Sequence, residues 1–161
     1  MNKYNHPALK FIKTKIHGIT LMEFLSAFVI LVVVLTVTLG GYMLSLQLSE
    51  LSKNYSIATN AVKSRMEEIK NTPFNNILAN NNTTFTYNNL NGWGFVYVQI
   101  PVITNPNLLQ VTVSFCWKNQ NGRMIGEDKN NNGIKDAGED VNGNGMIDSP
   151  VKFSTFIYKL K

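Results

Sequence analysis

Apolar and polar positions change their spacing twice along this chain, and each change marks a different kind of element. From Phe24 to Gly41, eighteen residues pass without a charge. Extended to Tyr42, that run reaches about 28 Å as a helix at about 1.5 Å per residue, near the thickness of a bilayer's hydrocarbon layer. From Leu44 onward the apolar residues fall at spacings of three and four: Leu44, Leu48, Leu51, Tyr55, Ala58, Val62, Met66 and Ile69. This is one stripe on a continuing helix, with Ser45, Glu50, Lys53, Lys63 and Glu67 at other positions. Pro73 disfavours a helical Thr72, so the helix is expected to run from about Thr20 to Lys70 and to end near Asn71.

Beyond the helix the period becomes two. Asn71 to Asn91 is rich in Asn and Thr and reads as a loop with a short strand at Thr83–Tyr87. Phe95 to Ile100 is β-rich and stops at Pro101. Leu109 to Trp117 alternates, with Leu109, Val111, Val113, Phe115 and Trp117 on one face. Asn105-Pro106-Asn107 makes a turn between the two, and Val151 to Leu160 supplies another strand. The expected fold is α+β: a long N-terminal helix, transmembrane in its first half, packed through its second half on a small antiparallel sheet of three or four strands.

The apolar run carries one carboxylate near its start, in Gly18-Ile19-Thr20-Leu21-Met22-Glu23. Burying a lone carboxylate in lipid costs roughly 2.5–3.5 kcal/mol on insertion scales. Lys3, Lys10, Lys13 and Lys15 precede it. An ordinary secretory signal has a shorter apolar region followed by a small-residue cleavage site, and Gly40-Gly41-Tyr42 is a poor one.

The pattern resembles the prepilin signal of type IV pilins and type II secretion pseudopilins, strongly from Lys15 to about Gly41 and more weakly to about Ile77. The resemblance implies cleavage after Gly18 by a membrane peptidase and N-methylation of Ile19, where phenylalanine is commoner. It implies that Glu23 neutralises the terminal amine of a neighbouring subunit during filament assembly. It divides the chain into a leader at 1–18, a transmembrane and assembly helix at 19–42, and an exported pilin-like domain at 43–161. The partners it implies are other pilin or pseudopilin subunits, the prepilin peptidase and an inner-membrane assembly platform. Its location would be the bacterial inner membrane, single-pass with the N-terminus inside, then an extracytoplasmic filament. Ala61 to Lys70, with Pro73-Phe74, resembles the helix end of minor pilins. Gly40 stands where many major pilins carry a helix-breaking proline, and Gly40 with Gly41 reads either as a softened hinge or as a site of close helix packing.

Charge sharpens this picture. The net +5 is concentrated in the leader, which holds four lysines and no acid; the remainder carries eleven basic and ten acidic residues. That asymmetry is a positive-inside signal, and the near-neutral remainder argues against nucleic-acid binding. Cys116 is the only cysteine, so no intrachain disulfide closes the domain, and it reads as a packing residue. The only histidines, His6 and His17, lie in the leader, and no nucleophile–base set or phosphate loop is evident. The chain reads as a non-enzyme.

Residues 127–148 hold six of the ten acids. Asp128 to Asp136 and Asp140 to Asp148 both read D-x-N-x-N-G-x-x-D, similar to calcium loops of the EF-hand and dockerin type. A calcium ion takes six to eight oxygens at about 2.3–2.6 Å. Positions one, three and five converge as the chain turns, glycine at six permits the bend, and residue seven offers a carbonyl. In the first loop these are Asp128, Asn130, Asn132, Gly133 and Ile134, with Asp136 at nine and Glu139 at twelve. In the second they are Asp140, Asn142, Asn144, Gly145 and Met146, with Asp148 at nine and Val151 at twelve, which cannot coordinate through its side chain. One or two calcium ions are expected, the first loop being the more complete. Two other readings compete: a pilus-borne adhesin or DNA-uptake pilin, and a bitopic calcium-binding module that never polymerises.

Overall fold

A computed structural model describes residues 18, 20–102 and 105–159. The expected leader up to residue 17, the methylation residue Ile19 and the last expected strand residue Leu160 lie outside the described residues. The chain divides into two compact units, Met1–Leu44 and Ser45–Lys161.

Helix α1 spans Leu21–Lys70 without a break at Gly40 or Gly41. It starts with a reciprocal cap. The Thr20 main-chain N–H donates to Glu23 Oε2 at 2.9 Å, and the Glu23 N–H donates to Thr20 Oγ1 at 3.2 Å. Thr20-x-x-Glu23 is thus a capping box, which satisfies main-chain donors that the first helical turn leaves without partners. Within the first unit the large apolar side chains from Leu21 to Leu44 are exposed, Leu21 at 83% and Val37 at 70%. Among the described residues this is the one helix long and apolar enough to cross a membrane. A Cβ added at Gly40 or Gly41 would meet nothing within 4 Å.

The second unit is built on an antiparallel sheet. Strand β1 is Thr83–Tyr87, β2 Leu90–Gln99, β3 Leu108–Lys118, β4 Met124–Ile125 and β5 Lys152–Tyr158. The order is β1-β2-β3, and β3 pairs along its other edge with both β4 and β5. That makes five strands where three or four are expected, because the pair Met124–Ile125 is too short to read from periodicity. Strand β2 also starts earlier than Phe95. Its Asn91-Gly92 segment has no β-like composition, but Gly92 pairs opposite Trp117 and a Cβ there would overlap the Cys116 carbonyl.

Helix α1 covers one face of the sheet. Ala58, Ala61, Val62, Met66 and Ile69 pack on Val96, Val98 and the five alternating β3 residues, all at most 5% exposed. Tyr55 meets the Trp117 ring edge-on at 5.0 Å. The expected stripe is corrected at its start: Leu44 and Leu48 are both 57% exposed, and burial is complete only from Ala58. The helix stops at Lys70, where Thr72 Oγ1 donates back to the Glu68 carbonyl at 3.0 Å ahead of Pro73.

The opposite face of the sheet is not left to water. Phe95, Tyr97 and Cys116 are buried there under Ile147, with Trp93 and Met146 alongside. The polar segment 127–148 is therefore the second layer of this unit. Cys116 is fully buried with its thiol free, and burial pushes its pKa up to about 11, so it serves as a packing residue.

Candidate metal centre

Three anchors fix the acidic segment to the sheet. The Ile147 N–H donates to the Tyr97 hydroxyl at 2.8 Å, and Ser114 Oγ donates to the Ile147 carbonyl at 2.7 Å. The Trp93 indole N–H donates to the Asn131 carbonyl at 3.1 Å. Gly133, at φ +72°, lies flat against the Trp93 ring, where a Cβ would overlap it. Glycine at loop position six is thus required here both by the bend and by the contact.

Within this frame the two repeats make the same hydrogen bonds. Asp128 accepts the Asn132 and Gly133 N–H groups at 3.2 and 3.1 Å; Asp140 accepts those of Asn144 and Gly145 at 3.0 and 2.8 Å. Asn130 and Asn132 each accept the N–H two residues on, as do Asn142 and Asn144. The side chains at positions three and five then meet at position nine. Asn130 and Asn132 donate to one oxygen of Asp136 at 2.6 and 2.8 Å, and Asn142 and Asn144 donate to one oxygen of Asp148, each at 2.9 Å. Positions one, three, five and nine are therefore linked by hydrogen bonds in both loops. No N–H among the described residues donates to the Ile134 or Met146 carbonyl, the position-seven oxygens.

The twelfth position is where the expectation is corrected. Glu139 closes the first loop: Oε1 accepts the Lys129 N–H at 2.9 Å and Oε2 accepts the Asp136 N–H at 3.1 Å. Val151 does nothing comparable in the second loop, where its place is taken by Glu127. Glu127 accepts the Val141 N–H at 3.3 Å through Oε1 and the Asp148 N–H at 2.8 Å through Oε2. Lys129 and Val141 are both at position two, Asp136 and Asp148 both at position nine. Each glutamate belongs by sequence to one repeat and closes the other. Sequence reasoning missed Glu127 because it began each repeat at the aspartate. The longer unit Gly-Glu-Asp, at Gly126-Glu127-Asp128 and Gly138-Glu139-Asp140, was the available signal.

The loops differ in electrostatics. Asp128 is fully buried and Glu139 nearly so, with no lysine or arginine paired to either among the described residues. Burial pushes the Asp128 pKa up, only partly offset by the Gly133 and Asn132 N–H groups. In the second loop lysines pair with two of the carboxylates. Lys135 pairs with Asp140 at 2.9 Å, and the hydrogen bond from Lys135 is the main cause that lowers the Asp140 pKa. Lys152 pairs with Asp148 at 3.0 Å, and against the upward push of burial its hydrogen bond, with those of Asn142 and Asn144, lowers that pKa too.

The donor set fits a hard cation in part. Among the described residues no three Asp, Glu, His or Cys side chains gather closely enough to hold an ion by themselves. Asparagine and carbonyl oxygens would have to complete the set, and both loops supply them. The asparagine nitrogens face the position-nine carboxylates, so a cation bound through the asparagine oxygens would displace those bonds.

Neither a protein-family profile nor a characterised protein nor a solved structure matches this chain.

Proposed function

We propose that this chain is a pilin-like subunit, of the minor class, of a type IV pilus or type II secretion pseudopilus. The observation that carries the reading is the sequence Gly18 to Glu23 at the start of an apolar helix whose side chains are exposed. The lysines of the leader keep the N-terminus in the cytoplasm. The membrane peptidase cuts after Gly18 and Ile19 is methylated. The helix holds the subunit in the inner membrane until assembly, when neighbouring subunits replace lipid around Leu21 to Leu44. Glu23 then neutralises a neighbour's terminal amine, an attraction that strengthens in a low dielectric.

In the exported domain the two loops bind calcium. The ion would supply positive charge to a segment in which, among the described residues, no lysine or arginine pairs with buried Asp128 or Glu139. Asp128, Asn130, Asn132, Asp136, Glu139 and the Ile134 carbonyl would hold it in the first loop. Asp140, Asn142, Asn144, Asp148, Glu127 and the Met146 carbonyl would do so in the second. Binding only the folded loop stabilises the domain by RT ln(1 + [L]/Kd). With a single cysteine in the chain, calcium takes the closing role that a disulfide plays in many secreted domains.

A second reading, a bitopic calcium-binding module that never polymerises, draws support from the capping box. Thr20 gives the Glu23 carboxylate local work that needs no neighbour. Processing is the first test. In cells that carry a prepilin peptidase, the chain should lose residues 1–18, and Gly18→Glu should leave an uncut precursor in the membrane. An intact mass showing normal removal of those residues from the mutant would sink the signal assignment. For calcium, the melting temperature of the full chain in detergent should rise in millimolar calcium over chelator. An unchanged value would reject the metal.

A further inference from the structure

We propose that Asn142 is a site of spontaneous deamidation, and the first to react among the five Asn–Gly pairs of this chain. In this reaction the main-chain nitrogen of the following residue attacks the asparagine side-chain carbonyl carbon. The new C–N bond closes a succinimide as the C–N bond to the side-chain nitrogen breaks and ammonia leaves. Water then opens the ring at one carbonyl or the other, leaving aspartate or isoaspartate. Glycine as the following residue speeds closure because it carries no side chain to obstruct it. What then decides the rate is whether that glycine nitrogen is unengaged and whether its peptide can swing.

Four of the five pairs are restrained at that nitrogen or its peptide. Gly92 is buried in β2 against the Cys116 carbonyl. The Gly122 N–H donates to the Asn119 carbonyl at 2.9 Å. Those of Gly133 and Gly145 donate to Asp128 and Asp140 at 3.1 and 2.8 Å. Gly143 differs. No acceptor among the described residues takes its N–H, nothing lies within 4 Å of where a Cβ would stand, and both it and Asn142 are exposed. Two bonds hold the Asn142 side chain, the donation to Asp148 at 2.9 Å and the acceptance from the Asn144 N–H at 3.0 Å. Both are at the protein surface, so loop fluctuations release them.

The product changes the second loop. With aspartate at 142, an oxygen replaces the nitrogen that donated to Asp148, and two carboxylates face each other. Isoaspartate also lengthens the main chain by one methylene and moves Gly143 out of register.

The test is to age the full chain in detergent at mildly alkaline pH in ¹⁸O-water with chelator, so that the outcome does not depend on the calcium reading. Peptide fragmentation then locates the heavy oxygen. Label at residue 142 should precede label at 91, 121, 132 and 144, and should split between aspartate and isoaspartate. In Asn142→Gln the earliest-labelled site should be lost while the other four keep their order. Label reaching any of those four positions first, or an unchanged early phase in Asn142→Gln, would overturn the proposal.

Discussion

The two loops of the acidic segment share a hydrogen-bond pattern and differ in how their charge is met. Each aspartate at position one holds the N–H groups of positions five and six, and each aspartate at position nine gathers two asparagines. In the second loop Lys135 and Lys152 stand beside the acids. In the first loop Asp128 and Glu139 are buried with main-chain dipoles as their main support. Main-chain geometry is therefore set by the repeat, while the charge left uncompensated is set by burial and neighbouring lysines. If the proposed calcium binding holds, the first loop is expected to bind more tightly because its charge is uncompensated, although Glu127 closes the second loop as well.

The sharpest way to break this comparison is to remove each position-one aspartate. Asp128→Ala strands two N–H groups, one of them on buried Gly133, at about 1–3 kcal/mol for each unsatisfied group. Asp140→Ala leaves its N–H groups at the surface, where water replaces the lost acceptor, and should cost clearly less. Melting curves of both mutants in chelator and in calcium decide this. Asp128→Ala should also remove most of the calcium-dependent gain. Equal losses from the two mutants would show that the loops form one composite site.

The exchanged glutamates give a smaller and more specific effect. Glu139→Gln should speed amide exchange at Lys129, Asn130 and Asp136. Glu127→Gln should speed it at Val141 and Asp148, across the repeat boundary. About 1 kcal/mol per weakened bond corresponds to roughly a fivefold change in local exchange. If each mutant loosened only its own repeat, the reciprocal closure would be refuted.

The smallest effect is in the pH profile of the metal-free protein. Burial raises the Asp128 pKa, so the folded state holds that proton more tightly than the unfolded chain does. Its stabilising contribution is full below the ordinary value of 3.8 and is lost as pH rises through the raised one. Asp140 and Asp148, lowered, contribute stability above 3.8 that is lost as pH falls through their folded values. The melting temperature in chelator should therefore rise slightly from neutral pH into the upper carboxylate range and fall below it. Asp128→Asn should abolish the rise. A rise that persists in that mutant would assign it to another group.

Much of this was legible in the sequence, for reasons that can be located. The alternation from Leu109 to Trp117 and the stripe from Ala58 to Ile69 were readable because each residue's place follows from a local period. Pro73 and the two D-x-N-x-N-G-x-x-D runs were readable for the same reason. What could not be read depends on contacts distant in the chain. Leu44 and Leu48 keep the helical spacing but are exposed. Ile147 looks like one apolar residue in a polar loop until β2 and β3 place Phe95, Tyr97 and Cys116 beneath it. Glu127 closes a loop 14 to 21 residues away. The Thr20–Glu23 capping box is a local pattern, readable from Thr20-x-x-Glu23 alone.

Glu23 caps the helix and, in the proposed filament, would also meet a neighbour's amine, which makes it the decisive residue for that reading. Gln can preserve the capping box, since its carbonyl accepts the Thr20 N–H, but it carries no charge to meet a neighbour's amine. Glu23→Gln and Glu23→Ala should both be processed and remain in the membrane. The direct measurement is the fraction of each variant recovered in sheared filaments or in crosslinked pilus complexes beside the unmutated chain. The filament account predicts that Gln is incorporated nearly as poorly as Ala. Incorporation of the Gln variant at the unmutated level would contradict it and leave Glu23 as a helix cap on a membrane-anchored calcium-binding domain.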